Sequence, residues 1–158
     1  VKAVFAYGSH SAGKVKLGYE PATILKLPSI LPTLLVGGSR DGIFINASKS
    51  YGIDKWDDPA TPVIRTFKEG ISSNRNDSYY VILEGANHYS INEYLDLTDN
   101  GVSRDFSATK PGDEIRSLLG ETIALFIEAY LLKQNSAADR LMQLLETNKD
   151  LIASFARK

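Results

Sequence analysis

Three short apolar runs constrain this chain most. "VKAVFAY" (1–7) stops at Gly8, "PTLLVGG" (32–38) opens on a proline and closes on a glycine pair, and "SYYVILEG" (78–85) ends at Gly85. Each run is nearly continuous rather than alternating. A strand exposed on one face would alternate apolar and polar side chains, so these are expected to be strands covered on both faces, as in a parallel sheet.

Parallel strands need crossovers. Between the second and third runs, "DPATPVIRTFKEGISS" (58–73) spaces Val63, Ile64, Phe67 and Ile71 for a helix that starts at Asp58 and Pro59. The order strand, helix, strand predicts a right-handed crossover. Segment 9–31, rich in glycine and proline, reads mostly as loop, and 45–57 as irregular with Trp56 packed on something.

The last third reads as helical. "GDEIRSLLGETIALFIEAYLLKQ" (112–134) carries Ile115, Leu118, Leu119, Ile123, Phe126 and Leu131 on one stripe. Asp113 and Glu114 suit its N-terminus. A second helix is expected from the cap Ser136 to Asn148, and a last turn over 149–156. The expectation is one α/β domain over 1–158, with a strand-rich core at 1–91 and C-terminal helices at 112–156.

With 158 residues, 43% apolar, the chain can bury a real core. A net charge of −1 with no basic block gives no case for nucleic acid. The absence of cysteine excludes disulfides, a thiol nucleophile and thiolate metal sites, and fits a cytoplasmic setting. Pro28, Pro32 and Glu128 interrupt the most apolar stretches, so no integral membrane segment is expected. Two histidines without an acidic cluster give no metal site, and no cofactor is expected.

Chemistry is expected where the strands end, since ligands of open α/β sheets sit outside the carboxyl ends. Asp41 follows the second run, in "GGSRDG", and His88 follows the third, in "EGANHYS". If the two strands are parallel neighbours, both side chains emerge on one rim. A carboxylate on one imidazole nitrogen fixes the tautomer and leaves the other nitrogen as a base. The plainer reading is also open: "SRDG" is an ordinary turn sequence, and a loop histidine needs no catalytic motive. Asp54, Asp57 and Asp58 are alternative acids that lie away from a strand end. Glu84 reads as a support for local hydrogen bonds, and Tyr89 and Ser90, beside His88, read equally as packing and capping residues or as substrate contacts.

"LPTLLVGGSRDGIF" (31–44) and "YYVILEGANHYSI" (79–91) resemble the acid- and histidine-bearing strands of α/β-hydrolases, nearest to the dienelactone-hydrolase and chlorophyllase-like esterases. The resemblance covers most of 1–133, and the helix at 112–133 is similar to the family's long C-terminal helix. It implies the C-terminal portion of an α/β-hydrolase fold, three mostly parallel strands with flanking helices, and a serine hydrolase acting on a small-molecule carboxylic ester. Asp41 and His88 match the family's acid and histidine.

The family's nucleophile lies in a G-x-S-x-G turn before the acid and the histidine, and no such motif occurs in this chain. Ser11, in "YGSHSAG" (7–13), would fit if Ser9 were glycine. Gly13, Gly18 and Pro21 oppose the helix that should follow it. His10 reads as another residue of that loop, near the rim of the cleft. Val1 is not Met and already opens an apolar strand. A parallel sheet cut there exposes an unpaired edge. The expectation is therefore further polypeptide N-terminal to Val1 that supplies the serine: an earlier portion of the same enzyme, a cleaved partner chain or an associated subunit. The alternative is a non-enzymatic α/β interaction module.

Overall fold

The computed structural model describes residues 1–72 and 74–158. Four strands form one mixed sheet in the order β1-β2-β3-β4: β1 (Val4–Tyr7), β2 (Thr33–Gly38), β3 (Ser78–Leu83) and β4 (Ile152–Arg157). The first three are parallel, with Val36 paired to Tyr7 on one side and to Val81 on the other. β4 runs antiparallel along the far edge of β3.

Every residue of β2 and β3 is buried, because helices cover both faces. Leu34, Val36, Tyr79, Val81 and Leu83 point to the face covered by α3 (Gly112–Tyr130) and α4 (Ala137–Thr147). Leu35, Tyr80 and Ile82 point to the other face, against Phe44, Val63, Phe67 and Ile71. The two-residue period of each strand thus fills two separate cores, and this is why the sequence runs are apolar throughout.

The strand ends are packed unusually close. A Cβ on Gly38 would lie 2.1 Å from the Ala86 carbonyl oxygen, and one on Gly37 would lie 2.9 Å from Val63. The glycine pair therefore lets the turn after β3 sit directly on the end of β2. Arg40 N–H donates to Ala86 O at 2.9 Å, and Ser39 Oγ accepts Gly85 N–H at 2.8 Å. The turns that follow β2 and β3 become one unit.

The segment expected to be a helix over 58–73 is shorter and broken. It contains α2 (Thr61–Arg65), then a π turn over Thr66–Gly70, and Ile71 is already extended. Ser73, in that span, lies outside the described residues. Gly70 is pressed against Leu25 O and Ser11 Oγ, at 3.0 and 3.2 Å from a Cβ placed there. Within the stretch read as a turn and then irregular, Gly42–Ala47 form a short helix, α1, and Ser48–Tyr51 a 3-10 turn.

The expected last turn at 149–156 is overturned: residues 152–157 are β4, so the helices end at Thr147. The sheet has four strands, three parallel and one antiparallel. No described helix is long and apolar enough to cross a membrane.

Candidate active site

Asp41 caps α1. Its Oδ1 accepts the Phe44 N–H at 3.1 Å, an N-cap bond that orients the carboxylate at the carboxyl end of β2. The side chain is wholly buried, and Oδ2 lies 2.8 Å from His88 Nδ1. Burial of a carboxylate demands partners, and Asp41 has two.

His88 is held by the turn after β3. Gly85, at φ +69°, reverses the chain. Asn87 then folds the backbone locally: its Oδ1 accepts the Tyr89 N–H at 3.1 Å and the Ser90 hydroxyl at 2.9 Å. From β1, Tyr7 donates its hydroxyl proton to Asn87 O at 2.6 Å. The imidazole lies edge-on to Phe44 and Tyr89, with ring centroids 5.8 and 5.6 Å away. Under it passes Gly8, at φ +55°, where a Cβ would lie 2.8 Å from His88 Cε1. β1, β2 and β3 thus each contribute at their carboxyl ends.

An ionised carboxylate on Nδ1 makes that nitrogen the donor and leaves Nε2 with the free lone pair. The His88 side chain is 29% exposed, and no described residue hydrogen-bonds Nε2. The hydrogen bond to Asp41 raises the imidazole above its ordinary value of 6.5, against burial, with the charges of Asp41 and Asp105 adding to the rise. The arrangement is an imidazole of fixed tautomer, open on one side, whose protonated form is stabilised by a buried anion. That is the equipment of a general base.

The chain's other histidine is built differently. His10 is packed edge-on against Phe44 and Tyr51, at 4.9 and 4.7 Å, and its Nδ1 accepts the Ala12 N–H at 3.1 Å. Burial pushes it down to about 4. It is a neutral packing residue at pH 7.

Ser11 is not joined to the pair. Its hydroxyl donates to Leu25 O at 2.8 Å and its N–H to Thr66 Oγ1 at 2.9 Å. No α-helix follows it directly, only a single 3-10 turn at Val15–Leu17. Residues 11–13 run beside 23–25, with Ala12 bridged antiparallel to Ile24. Among the described residues, the carboxylate on His88 Nδ1 is Asp41; Asp58 instead caps the Ala60 N–H at 2.7 Å. Tyr89 donates to Asp99 and Ser90 bonds Asn87, so both are engaged in local structure. No described group of three or more His, Asp or Glu could hold a metal.

Sequence reasoning did not find Asp105. Its carboxylate accepts the His88 N–H at 2.9 Å and the Gly42 N–H at 2.7 Å. Nothing in the polar stretch 98–105 marks it out, because its partners are backbone amides. In the sequence Gly8 marks only the stop of a strand, although Gly8, Gly38 and Gly42 all stand where a side chain would collide with the site.

Comparison with known proteins returns no match: no family, no curated relative and no solved structure is significantly similar to the chain.

Proposed function

We propose that Asp41 and His88 are the acid and base of a serine hydrolase of the α/β-hydrolase type, acting on a carboxylic ester. One observation carries this reading. His88 Nδ1 meets Asp41 Oδ2 at 2.8 Å at the adjoining carboxyl ends of parallel neighbours, and the ring remains open on its other side. The acid precedes the histidine in the chain, as the resemblance to that family requires.

In this mechanism a serine Oγ–H gives its proton to His88 Nε2 as Oγ bonds to the ester carbonyl carbon. The imidazolium, stabilised by Asp41, then protonates the leaving alkoxide as the C–O bond breaks. Water repeats the cycle on the acyl-enzyme, and the carboxylic acid departs with the serine regenerated. On this reading the nucleophile is a serine other than Ser11, whose hydroxyl donates to Leu25 O and does not meet His88, and a segment upstream of residue 1 is proposed to supply it. The free edge of β1 is where such an element would pair. Beside it lies an apolar recess of about 130 Å³ lined by Val4, Ala6, Leu27 and Leu35.

The test is a fluorophosphonate probe on the complete gene product, with peptide mapping of the adduct. Labelling is expected at a serine upstream of Val1 and in no residue of 1–158. Asp41→Asn should lower kcat/KM for a short-chain ester roughly ten-thousand-fold. A complete product that neither takes the probe nor cleaves esters would favour the non-enzymatic module, and an adduct on Ser11 would overturn the assignment of the nucleophile.

A further inference from the structure

Asp105 lies 17 positions beyond His88, yet its single carboxylate grips the backbone of both turns. Oδ2 accepts the His88 N–H at 2.9 Å, while Oδ1 accepts the Gly42 N–H at 2.7 Å and the Phe106 N–H at 2.9 Å. Gly42 is the neighbour of Asp41. One anion therefore joins the residue next to the acid to the histidine itself.

Further bonds fix the surrounding strap, residues 98–107, around this contact. Asn46 donates to Arg104 O at 2.5 Å and Asn87 to Phe106 O at 2.8 Å. Arg40 donates to Ser107 O at 3.2 Å. These donors come from α1, the turn after β3 and the turn after β2. The strap passes so close that a Cβ on Gly42 would stand 2.5 Å from Phe106 N.

We propose that Asp105 is a positioning residue, which locks the Asp41 and His88 turns at the spacing their hydrogen bond needs and places a second negative charge behind the imidazole. It concerns the geometry of the pair and goes beyond the hydrolase reading, because it stands whatever reaction the pair serves. The physical need is plain. A shift of about 1 Å between the two turns would take a hydrogen bond of 2.8 Å out of range. The N–H donors of Gly42 and His88 tie the two turns to one carboxylate and resist that shift together, while the Phe106 N–H fixes the carboxylate's own orientation. The groups around His88 are Asp41 from the β2 turn, Asp105 from the strap, and Phe44 and Tyr89 edge-on to the ring, with Tyr7 on the neighbouring Asn87 carbonyl and His10 beyond Phe44. Two carboxylates thus share the neighbourhood of one imidazole. Burial lifts the Asp105 carboxyl, and the charge of Asp41 lifts it further, while the bonds from Gly42, Phe106 and His88 oppose the rise.

The competing role is a simple loop anchor, whose loss loosens the strap without touching the imidazole. NMR titration of the His88 ring in the complete gene product separates the two. Asp105→Asn removes the charge and sets an NH₂ against a donor. It is expected to lower the His88 pKa by about half a unit or more and to speed amide exchange at His88 and Gly42 about tenfold. Asp105→Glu should recover part of the pKa. Asp99→Asn cuts the other carboxylate of the strap, which holds Tyr89 and Gly101, and should leave the His88 pKa unmoved. If Asp105→Asn does not fold, Gly42→Ala serves, because its Cβ displaces the strap with Asp105 intact and should lower the pKa in the same direction. A His88 pKa that is unchanged in the folded Asp105 or Gly42 variants, or shifted equally by Asp99→Asn, overturns the proposal. Failure to find a reactive serine bears on the reaction alone and leaves this result standing.

Discussion

Gly8 sets how far the His88 ring can move. Its positive φ, +55°, already disfavours any side chain, and a Cβ would fall 2.9 Å from Nδ1, the atom that meets Asp41. Gly8→Ala should cost roughly 1–2 kcal/mol of stability from backbone strain alone. It should also push the ring off Asp41 and lower the His88 pKa, both readable from a denaturant melt and a ring titration. Val and larger residues should be worse. At this scale the sequence was informative where a residue type was rare or oddly placed. A chain with two histidines, one just past a core strand, singles out His88, and Asp41 follows from the same rule at the neighbouring strand. Gly8 and Asp105 were invisible for a shared reason. Their work is done through space, on a ring 80 positions away and on amides whose identity no side chain reveals, so neither composition nor spacing carries their signal.

The elements divide the same way. β2 and β3 were legible because double-sided burial leaves a continuous apolar run; β1 is equally apolar but only partly covered, with Phe5 exposed, so the expected cover on both faces is not met there. β4 was not, because its sequence, "IASFAR", mixes polar and apolar residues as an edge strand does, and only Ile152 is fully buried. Leu151, Ile152 and Phe155 also fall at helical spacing, which made a last turn the natural reading. The π turn after α2 was hidden for another reason: it is imposed by packing of Gly70 on Leu25, not by periodicity. β4 supports the site from behind. Ile152 pairs with Leu83 across an irregular step in the ladder, and Leu151 O accepts the Glu84 N–H at 2.8 Å, one residue before the reversing glycine. Ile152→Ala should therefore destabilise the fold by about 2–4 kcal/mol. Hydrogen exchange at Glu84 and Gly85 should quicken more than at Leu34 or Val36 in β2. Equal acceleration everywhere would show that β4 supports the sheet only globally.

For the molecule as a whole, the two histidines pull stability in opposite directions with pH. His10 is held neutral, at about 4 in the folded state against its ordinary 6.5. Between those values the unfolded chain binds more protons, so stability rises with pH across that window. His88 is raised above 6.5 by Asp41, so its contribution is complete below 6.5 and is lost as pH climbs through its folded value. Urea midpoints should therefore peak near neutrality. His10→Phe should flatten the acid limb between pH 6.5 and 4, and Asp41→Asn the limb on the alkaline side. A melt whose acid limb is unchanged by His10→Phe would assign that limb to carboxylates instead.

The order in which the sheet is made has its own consequence. β4 leaves the ribosome after every strand it touches, and Tyr79 must wait for Arg157 before its outer edge is closed. Until then β3, buried along its whole length in the finished fold, offers an open row of amides to any passing chain. Synthesis halted before residue 152 would yield a species that aggregates readily, with the imidazole turn still unsupported. Cells making this protein thus depend on the codons for residues 152–157 for solubility as much as for shape.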